Sequence, residues 1–404
     1  MAGTFRPQTI GVIFGGRSVE HDVSVVTGHQ VMNACAQAGH TVVPIYIDRA
    51  GRWLTGEPLR SLNSFQSDVA RLSGVDDVLF SPDIRQHGLI VNPLPSGMFA
   101  KAQPLKLDIA FPAIHGSHGE DGTLQGLFEL ADVPYVGCGV LASAVANDKW
   151  TAKQILRESG ISVVDGLLLT RREWLEQPEA SLKRILDMLP FPMFVKPATL
   201  GSSIGIGKAN DRAGLEAHLN MVINLDRRIV IERAITDGVE INCAVLGDAR
   251  EIVTSVLEQP VSWDEFLTYE EKYLRGGEGM KSADRIIPAP LSESLSGRIH
   301  NMARSAFEVI DGRGLARIDF LVRPQHDEVF VNEINTLPGS LALYLWTESG
   351  LRVQDVIARL IDIARQAQAE KRQNTYDYKT NLIALSAQRG VKGTKGSTIA
   401  RRSP

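Results

Sequence analysis

Leu315-Ala316-Arg317-Ile318-Asp319-Phe320-Leu321 and Val329-Phe330-Val331-Asn332-Glu333-Ile334-Asn335, which flank the short turn segment Arg323 to Glu328, read as an antiparallel hairpin. Side chains two apart on a strand share one face. Arg317 therefore pairs with Asp319 and Glu333 with Asn335, among neighbours that are largely apolar. Burying a face with two carboxylates and a guanidinium is expensive unless the charges are paired or bind a cation. Asp, Glu and Asn offer hard oxygen ligands that suit magnesium, which is held by a few carboxylates together with substrate phosphates. Arg317 would then balance a transferring phosphoryl group. An ion-pair network on an exposed sheet face would use the same residues, so the hairpin alone leaves both readings open.

Upstream lies Lys196-Pro197-Ala198-Thr199-Leu200-Gly201-Ser202-Ser203-Ile204-Gly205-Ile206-Gly207. Its glycines and serines leave backbone amides free to approach phosphate oxygens, and Lys196 adds a positive charge at the strand end. A Walker A loop ending at Gly207-Lys208 would need Gly in place of Ser202 and Ser or Thr in place of Ala209. A nucleotide cover and an ordinary turn both fit the segment by itself.

The N-terminal third reads as a strand from Thr9 to Phe14, a Gly15-Gly16 turn, a helix from Ser18 to Ala38 and a strand from Thr41 to Ile47. A strand from Leu107 to Phe111 leads into the loop Ala113-Ile114-His115-Gly116-Ser117-His118-Gly119-Glu120-Asp121-Gly122. A helix from Thr123 to Leu130 and a short strand at Pro134-Tyr135-Val136 follow. This alternation predicts a parallel α/β domain ending near Gly137. No third glycine completes a GxGxxG fingerprint after Gly15-Gly16, which disfavours a nicotinamide enzyme. His115 and His118 with Glu120 and Asp121 fit a metal site or the lining of a substrate cleft, and no third zinc ligand is evident. From Asn147 a helix precedes hairpin signals at Met193 to Lys196 and Ile204 to Gly207. An α+β stretch then closes with an amphipathic helix near Val353 to Gln368.

The chain has 404 residues, 44% hydrophobic and 22% charged, which predicts two or three folded domains. A net charge of -4 gives no attraction for a polyanion, so small molecules rather than nucleic acid are the expected partners. Cys35, Cys138 and Cys243 form no CxxC pair, which suits a reducing compartment. No signal-peptide pattern and no stretch of bilayer-spanning length is seen, so a cytoplasmic protein without membrane contact is expected. Residues 371–404 carry eight basic residues against one acidic residue and read as a flexible basic tail.

Taken together, these segments resemble the D-alanine-D-alanine ligase family of the ATP-grasp superfamily, from Ile10 to about Gln368. The family's blocks occur in order. They are Gly15-Gly16-Arg17-Ser18-Val19-Glu20, His115-Gly116 with Gly119 to Gly126, Lys196-Pro197 with Gly201-Ser202-Ser203, Glu271-Lys272-Tyr273, Arg317-Ile318-Asp319, and Asn332-Glu333-Ile334-Asn335-Thr336 with Pro338-Gly339. The resemblance implies an ATP-grasp fold, α/β and α+β, behind an N-terminal Rossmann-like parallel α/β domain. Residues 1–138 would form that substrate-binding domain and 139–230 a central ATP-grasp subdomain. Residues 231–370 would form a C-terminal subdomain with the metal and catalytic residues.

The same resemblance implies an ATP-dependent ligase that joins two amino acids through an acyl phosphate, as in D-alanyl-D-alanine synthesis for peptidoglycan precursors. Lys149 and Lys196 would hold the ATP phosphates, Glu232 the adenine and Glu240 the ribose. Lys272 would reach the γ-phosphate from a loop that closes over the site. Asp319, Glu333 and Asn335 would hold two magnesium ions, with manganese as an alternative. Glu20 would take the donor's ammonium, positioned through Ser202 and Tyr273, with His115 beside the donor carboxylate. Arg317 and the Gly339 amide would stabilise the tetrahedral oxyanion. Tyr273 is the variant that goes with amide rather than ester formation, and a homodimer is expected from the family.

One position departs from the pattern. The family usually has a serine five positions beyond the glycine of the Pro-Gly turn, where it helps to bind the acceptor's carboxylate. Here that position is Tyr344. Ser340 or the Tyr344 hydroxyl would have to substitute, or helix N-terminal amides would hold the carboxylate. An ATP-grasp dipeptide ligase with a different acceptor, in specialised metabolism, is the alternative reading. A catalytically dead nucleotide-binding regulator is disfavoured because Lys149, Lys196, Lys272, Arg317, Asp319, Glu333 and Asn335 are all present.

Overall fold

The computed structural model describes residues 6–91, 104–261, 285–376 and 380–384. Its first sheet comprises β1 (Thr9–Gly15), β2 (Thr41–Ile47), β3 (Trp53–Thr55), β4 (Asp76–Phe80), β5 (Gly88–Val91), β6 (Leu105–Lys106) and β7 (Ile109–Pro112). The order is β6-β5-β4-β3-β2-β1-β7. β1 is parallel to β2 and to β7, as the alternation predicts. Beyond β2 the sheet continues as an antiparallel meander that the periodicity did not reveal. The expected strand at Pro134 to Val136 is reduced to one bridge, Ala110 to Tyr135.

The crossover helix α1 (His21–Gln37) lies so close to β1 that a Cβ on Gly28 would meet the Phe14 Cβ at 2.5 Å. It starts at His21 rather than Ser18 because the Glu20 amide donates to the Ser18 hydroxyl at 3.1 Å, leaving Glu20 as the N-cap. That local bond holds the Glu20 carboxylate at the helix N-terminus, where negative charge is favoured.

Helices α2 (Thr123–Ala131), α3 (Val140–Asn147) and α4 (Lys149–Glu158) lead to a four-stranded antiparallel sheet. Its strands β8 (Gly166–Thr170), β9 (Met193–Pro197), β10 (Gly207–Ala209) and β11 (Arg228–Arg233) run in the order β10-β9-β11-β8. The helices α5 (Arg171–Glu176), α6 (Pro178–Met188) and α7 (Arg212–Val222) belong to the same stretch of chain. The expected division at residues 230 and 231 falls inside β11.

The third sheet holds β12 (Val239–Asp248), β13 (Glu251–Pro260), β14 (Arg285–Ile286), β15 (Gly314–Arg323) and β16 (Glu328–Asn335), in the order β14-β13-β12-β15-β16. α8 (Glu293–Val309), α9 (Leu343–Glu348) and α10 (Val353–Lys371) complete it. The hairpin β15–β16 is antiparallel as read from sequence, with one irregularity. Asp319 faces Glu333 but Phe320 faces Val331, so Asn332 is an extra residue in β16. This bulge sets Asn332 and Glu333 both toward the cleft, between buried Val331 and Ile334.

A single apolar cluster runs from Ile10, Phe14 and Val31 through Leu246 and Leu315 to Trp346 and Ile357. It fixes α1 against the C-terminal sheet and thereby sets Glu20 near the Pro338-Gly339 turn.

Candidate active site

A cleft lies where the three sheets meet, and Glu20, His115, Lys196, Ser202, Arg317 and Glu333 all border it. The face of α1 organises its first wall. Glu20, Ser24 and Thr27 stand at i, i+4 and i+7, so they share one side of the helix. Ser24 donates its hydroxyl to the Glu20 carbonyl at 3.0 Å and accepts the His115 amide at 2.9 Å. The His115 Nδ1 lies 2.9 Å from the Leu337 carbonyl oxygen, which can only accept, so Nδ1 carries the proton. Nε2 then accepts from the Thr27 hydroxyl at 2.8 Å. Burial pushes the imidazole down to about 4, which keeps it neutral near pH 7. The Ser340 amide also reaches Thr27 Oγ1, at 3.4 Å, tying the Pro-Gly turn to α1.

Ser202 closes the wall from the glycine-rich loop. Both Ser202 and Ser203 have positive φ, 51° and 59°, and in this conformation the Ser202 hydroxyl donates to Glu20 Oε1. Gly116, at φ 72°, approaches the same carboxylate so closely that a Cβ there would lie 2.7 Å from Glu20 Oε2. Glu120 is a second carboxylate on this wall and accepts the Gly116 amide at 2.7 Å. Burial first, and then the charge of Glu20, push its carboxyl up. Asp121 by contrast caps the start of α2 through Thr123, and exposed His118 leans on these two residues. Among the described residues the two histidines of this loop share no hydrogen-bond partner.

The second wall carries lysines. Lys149, the first residue of α4, donates to the Leu200 carbonyl at 2.7 Å and lies 3.5 Å from Glu333 Oε2. Lys196 on β9 donates to Glu232 Oε2 at 2.7 Å and reaches Asn332 Oδ1 at 3.4 Å. Lys153, four residues beyond Lys149 on α4, donates to the other Glu232 oxygen. Burial would raise the Glu232 carboxyl, but the two ammonium groups outweigh it and bring it down to about 2. Burial lowers Lys153 to about 8, with Glu232 opposing. Glu240 borders the cleft from β12.

On the hairpin, Arg317 grips Asp319 with two bonds, Nε to Oδ1 at 2.6 Å and Nη2 to Oδ2 at 2.7 Å. Burial works against the guanidinium charge, yet Asp319 raises it well above its ordinary value. Asn335 Nδ2 donates to Asp319 Oδ2 at 2.8 Å, which leaves its amide oxygen as a further lone-pair-bearing atom beside the two carboxylates. Gly339 lines the cleft through the Pro-Gly turn, and the next three residues, Ser340, Leu341 and Ala342, all have φ near 50°. Three consecutive non-glycine residues in this region store strain that the burial of Leu341 and Ala342 holds in place. Ser340 is not among the residues that line the cleft.

Tyr344 does line it, but its hydroxyl donates to Glu258 Oε2 at 2.6 Å, and Arg285 stacks over its ring at 4.4 Å. Lys272 and Tyr273, with Glu271, lie outside the described residues. The sequence reading missed Thr27, Lys153, Glu258, Arg285 and Asn332, and weighed Glu120 only with His115, His118 and Asp121 as a metal site or cleft lining. Lys149 and Lys153 at helical spacing were the one available signal.

Residues 9–138 match the family described as "D-ala D-ala ligase N-terminus" and residues 155–362 the family described as "D-ala D-ala ligase C-terminus". A D-alanine-D-alanine ligase of Thermosipho africanus is 37% identical over 380 residues, covering 94% of this chain and 99% of the relative. That of Heliobacterium modesticaldum is 39% identical over 373 residues, 91% of this chain and 97% of the relative. Among solved structures, the D-alanine-D-alanine ligase from Coxiella burnetii superposes with a TM-score of 0.74 at 28% identity, covering 95% of this chain and 99% of the other. The VanG D-Ala:D-Ser ligase from Enterococcus faecalis gives 0.75 at 30% identity, with 89% and 100% covered.

Proposed function

The chain belongs to the D-alanine-D-alanine ligase family and is an ATP-dependent ligase, and from that premise we propose that it joins D-alanine to a second amino acid through an acyl phosphate, as in D-alanyl-D-alanine synthesis. The observation that carries the reading is the Ser202 bond to Glu20, a carboxylate in the cleft that Lys149, Lys196 and the Arg317–Asp319–Glu333–Asn335 hairpin also border.

Glu20 takes the donor's ammonium, and Ser202 orients the carboxylate that does so. The donor carboxylate oxygen attacks the γ-phosphorus, ADP leaves, and a mixed anhydride of the amino acid and phosphate results. Lys149 and Lys196 offset phosphate charge during this transfer, which depends mainly on positioning and neutralisation. Lys196 must leave Glu232 to do so, and Glu232 is then free to accept from the adenine amino group, with Glu240 at the ribose. The acceptor's neutral amine attacks the acyl carbon. Arg317 and the Gly339 amide meet the oxyanion, inorganic phosphate leaves, and the nitrogen loses a proton as the amide forms. Neutral His115, held by Thr27 and Leu337, stands beside the donor carboxylate without adding charge. Lys272 and Tyr273 keep the roles the family resemblance gives them.

The hairpin fits magnesium. Asp319 and Glu333 face each other in register and Asn335 adds an amide oxygen, a hard-oxygen set that substrate phosphates would complete. Among the described residues no cluster of three His, Cys, Asp or Glu forms an all-protein cage. Two ions bound there would draw charge from the phosphoryl oxygens and lower the barrier to transfer.

Tyr344 and the D-Ala:D-Ser specificity named for the Enterococcus neighbour favour a second reading, the same donor half with another acceptor. Homodimerisation and cytoplasmic residence belong to the proposal on family grounds. Among the described residues no helix is long and apolar enough to cross a membrane. D- and L-amino acids, singly and in pairs, should be screened for ATP-dependent phosphate release with identification of the product. Release that requires D-alanine and yields a dipeptide is expected, and release with no amino-acid dependence would overturn the assignment.

A further inference from the structure

We propose that Arg285, braced by Glu258 and stacked on Tyr344, supplies the positive charge that holds the acceptor's α-carboxylate, in the place where the family pattern leads one to expect a serine hydroxyl. This rests on the ligase reading above and deepens it at the acceptor half of the site.

A carboxylate entering a poorly solvated wall needs hydrogen-bond donors aimed at it. A tyrosine hydroxyl has one proton to give, and that of Tyr344 is committed to Glu258. Burial, with Glu258 beside it, pushes this hydroxyl up, so it stays protonated. Of the cations among the described residues that border the cleft, Lys149 and Lys196 face the phosphate wall and Arg317 spends Nε and Nη2 on Asp319. Arg285 is the fourth. Its side chain borders the cleft with 19% exposure, and among the described residues its side-chain partners are Glu258, Nη1 to Oε1 at 3.2 Å, and the face of the Tyr344 ring. A guanidinium has five donors in a fixed fork, so one bond to Glu258 leaves others for a bidentate carboxylate contact.

Glu258 acts through Arg285 and does not itself bind substrate. It is 1% exposed and accepts from Tyr344, from Arg285 and from Asn242 Nδ2 at 3.2 Å, so most of its acceptor capacity is spent inside the protein. Strand pairing fixes the arrangement: β14 runs beside β13 with Arg285 opposite Pro260, so Glu258, two residues back on the same face, is its diagonal neighbour. Glu258 is thus a positioning residue, and the Tyr344 ring packs against the guanidinium from another side.

The test is a competition for the acceptor site. With ATP and D-alanine as donor, D-alanine and D-alaninamide are offered together as acceptors, and the ratio of dipeptide to dipeptide amide is measured. The amide lacks a carboxylate and can serve only as acceptor. R285M should shift the ratio toward the amide by about 10- to 100-fold, as expected for loss of a charged hydrogen bond, and R285K by less. E258Q keeps a partner for Tyr344 but unbraces Arg285, and should shift the ratio in the same direction by a smaller factor. A ratio unchanged in both R285M and R285K overturns the inference, however much the total rate falls. Should R285M not fold, R285K and E258Q decide it by the same ratio. Failure of the ligase reading is a different result, namely no coupled product of either kind from the unaltered chain.

Discussion

Asp319 on β15 and Glu333 on β16 stand opposite each other in register, one gripped by Arg317 and the other 3.5 Å from Lys149. Two carboxylates so placed repel unless cations offset them, and a strand pair keeps them together whether or not a ligand is bound. We expect Glu333→Gln and Asp319→Asn each to lower turnover by at least about 100-fold, on the order of an electrostatic transition-state contact. The fold should persist, because the hairpin is held by its ladder. Circular dichroism and magnesium titrations check this, and an undiminished magnesium-dependent rate in both variants would falsify the metal assignment.

Ser202→Ala should reduce turnover by roughly 10- to 1,000-fold by leaving Glu20 unoriented. Tyr273→Phe should act through the same network if Tyr273 joins it, so the double variant should lose less than the product of the two single losses. Wild-type kinetics in both single variants would remove the network from the mechanism.

Lys153→Met removes one of two ammonium groups from the buried Glu232 carboxylate. Lys196 remains, so the expected loss of stability is about 2–3 kcal/mol, below the roughly 3–5 kcal/mol of a fully orphaned buried charge. Denaturant melts measure it. The KM for ATP should also rise, since Lys196 is then held more firmly by Glu232, and an unchanged stability would show that Lys153 is a spectator.

How much of this was legible from sequence depended on range and regularity. Asp319, Glu333 and Asn335 could be read from a two-residue period, but Asn332 could not, because the bulge beside Glu333 breaks that period. The meander after β2 was invisible because its strands are short and only partly buried. The bond between Ser202 and Glu20 joins residues 182 positions apart, so family resemblance placed it where local pattern could not. Glu258 and Arg285 carry no local signal in the sequence, and only the register of β13 and β14 brings them together with Tyr344.

His115 gives a pH signature. Its folded-state value near 4 lies below the ordinary 6.5, so below pH 6.5 the unfolded chain binds a proton that the folded one refuses. Its contribution is full above pH 6.5 and is lost progressively as pH falls toward 4, by roughly 3 kcal/mol in all. The difference in stability between the unaltered chain and His115→Asn should therefore shrink between pH 6.5 and 4. A difference that stays constant across that window would mean that His115 titrates alike in the folded and the unfolded chain.

The acyl phosphate is the centre of the account, and oxygen tracing tests it most directly. The donor amino acid is supplied with both carboxylate oxygens as oxygen-18, together with ATP, magnesium and acceptor, and the released inorganic phosphate is examined by mass spectrometry. Attack of the donor carboxylate on the γ-phosphorus leaves one donor oxygen on phosphorus when the amide forms. The predicted result is inorganic phosphate carrying a single oxygen-18 for each dipeptide made, alongside ADP. Dipeptide accompanied by unlabelled phosphate, or by AMP and pyrophosphate, would contradict the account.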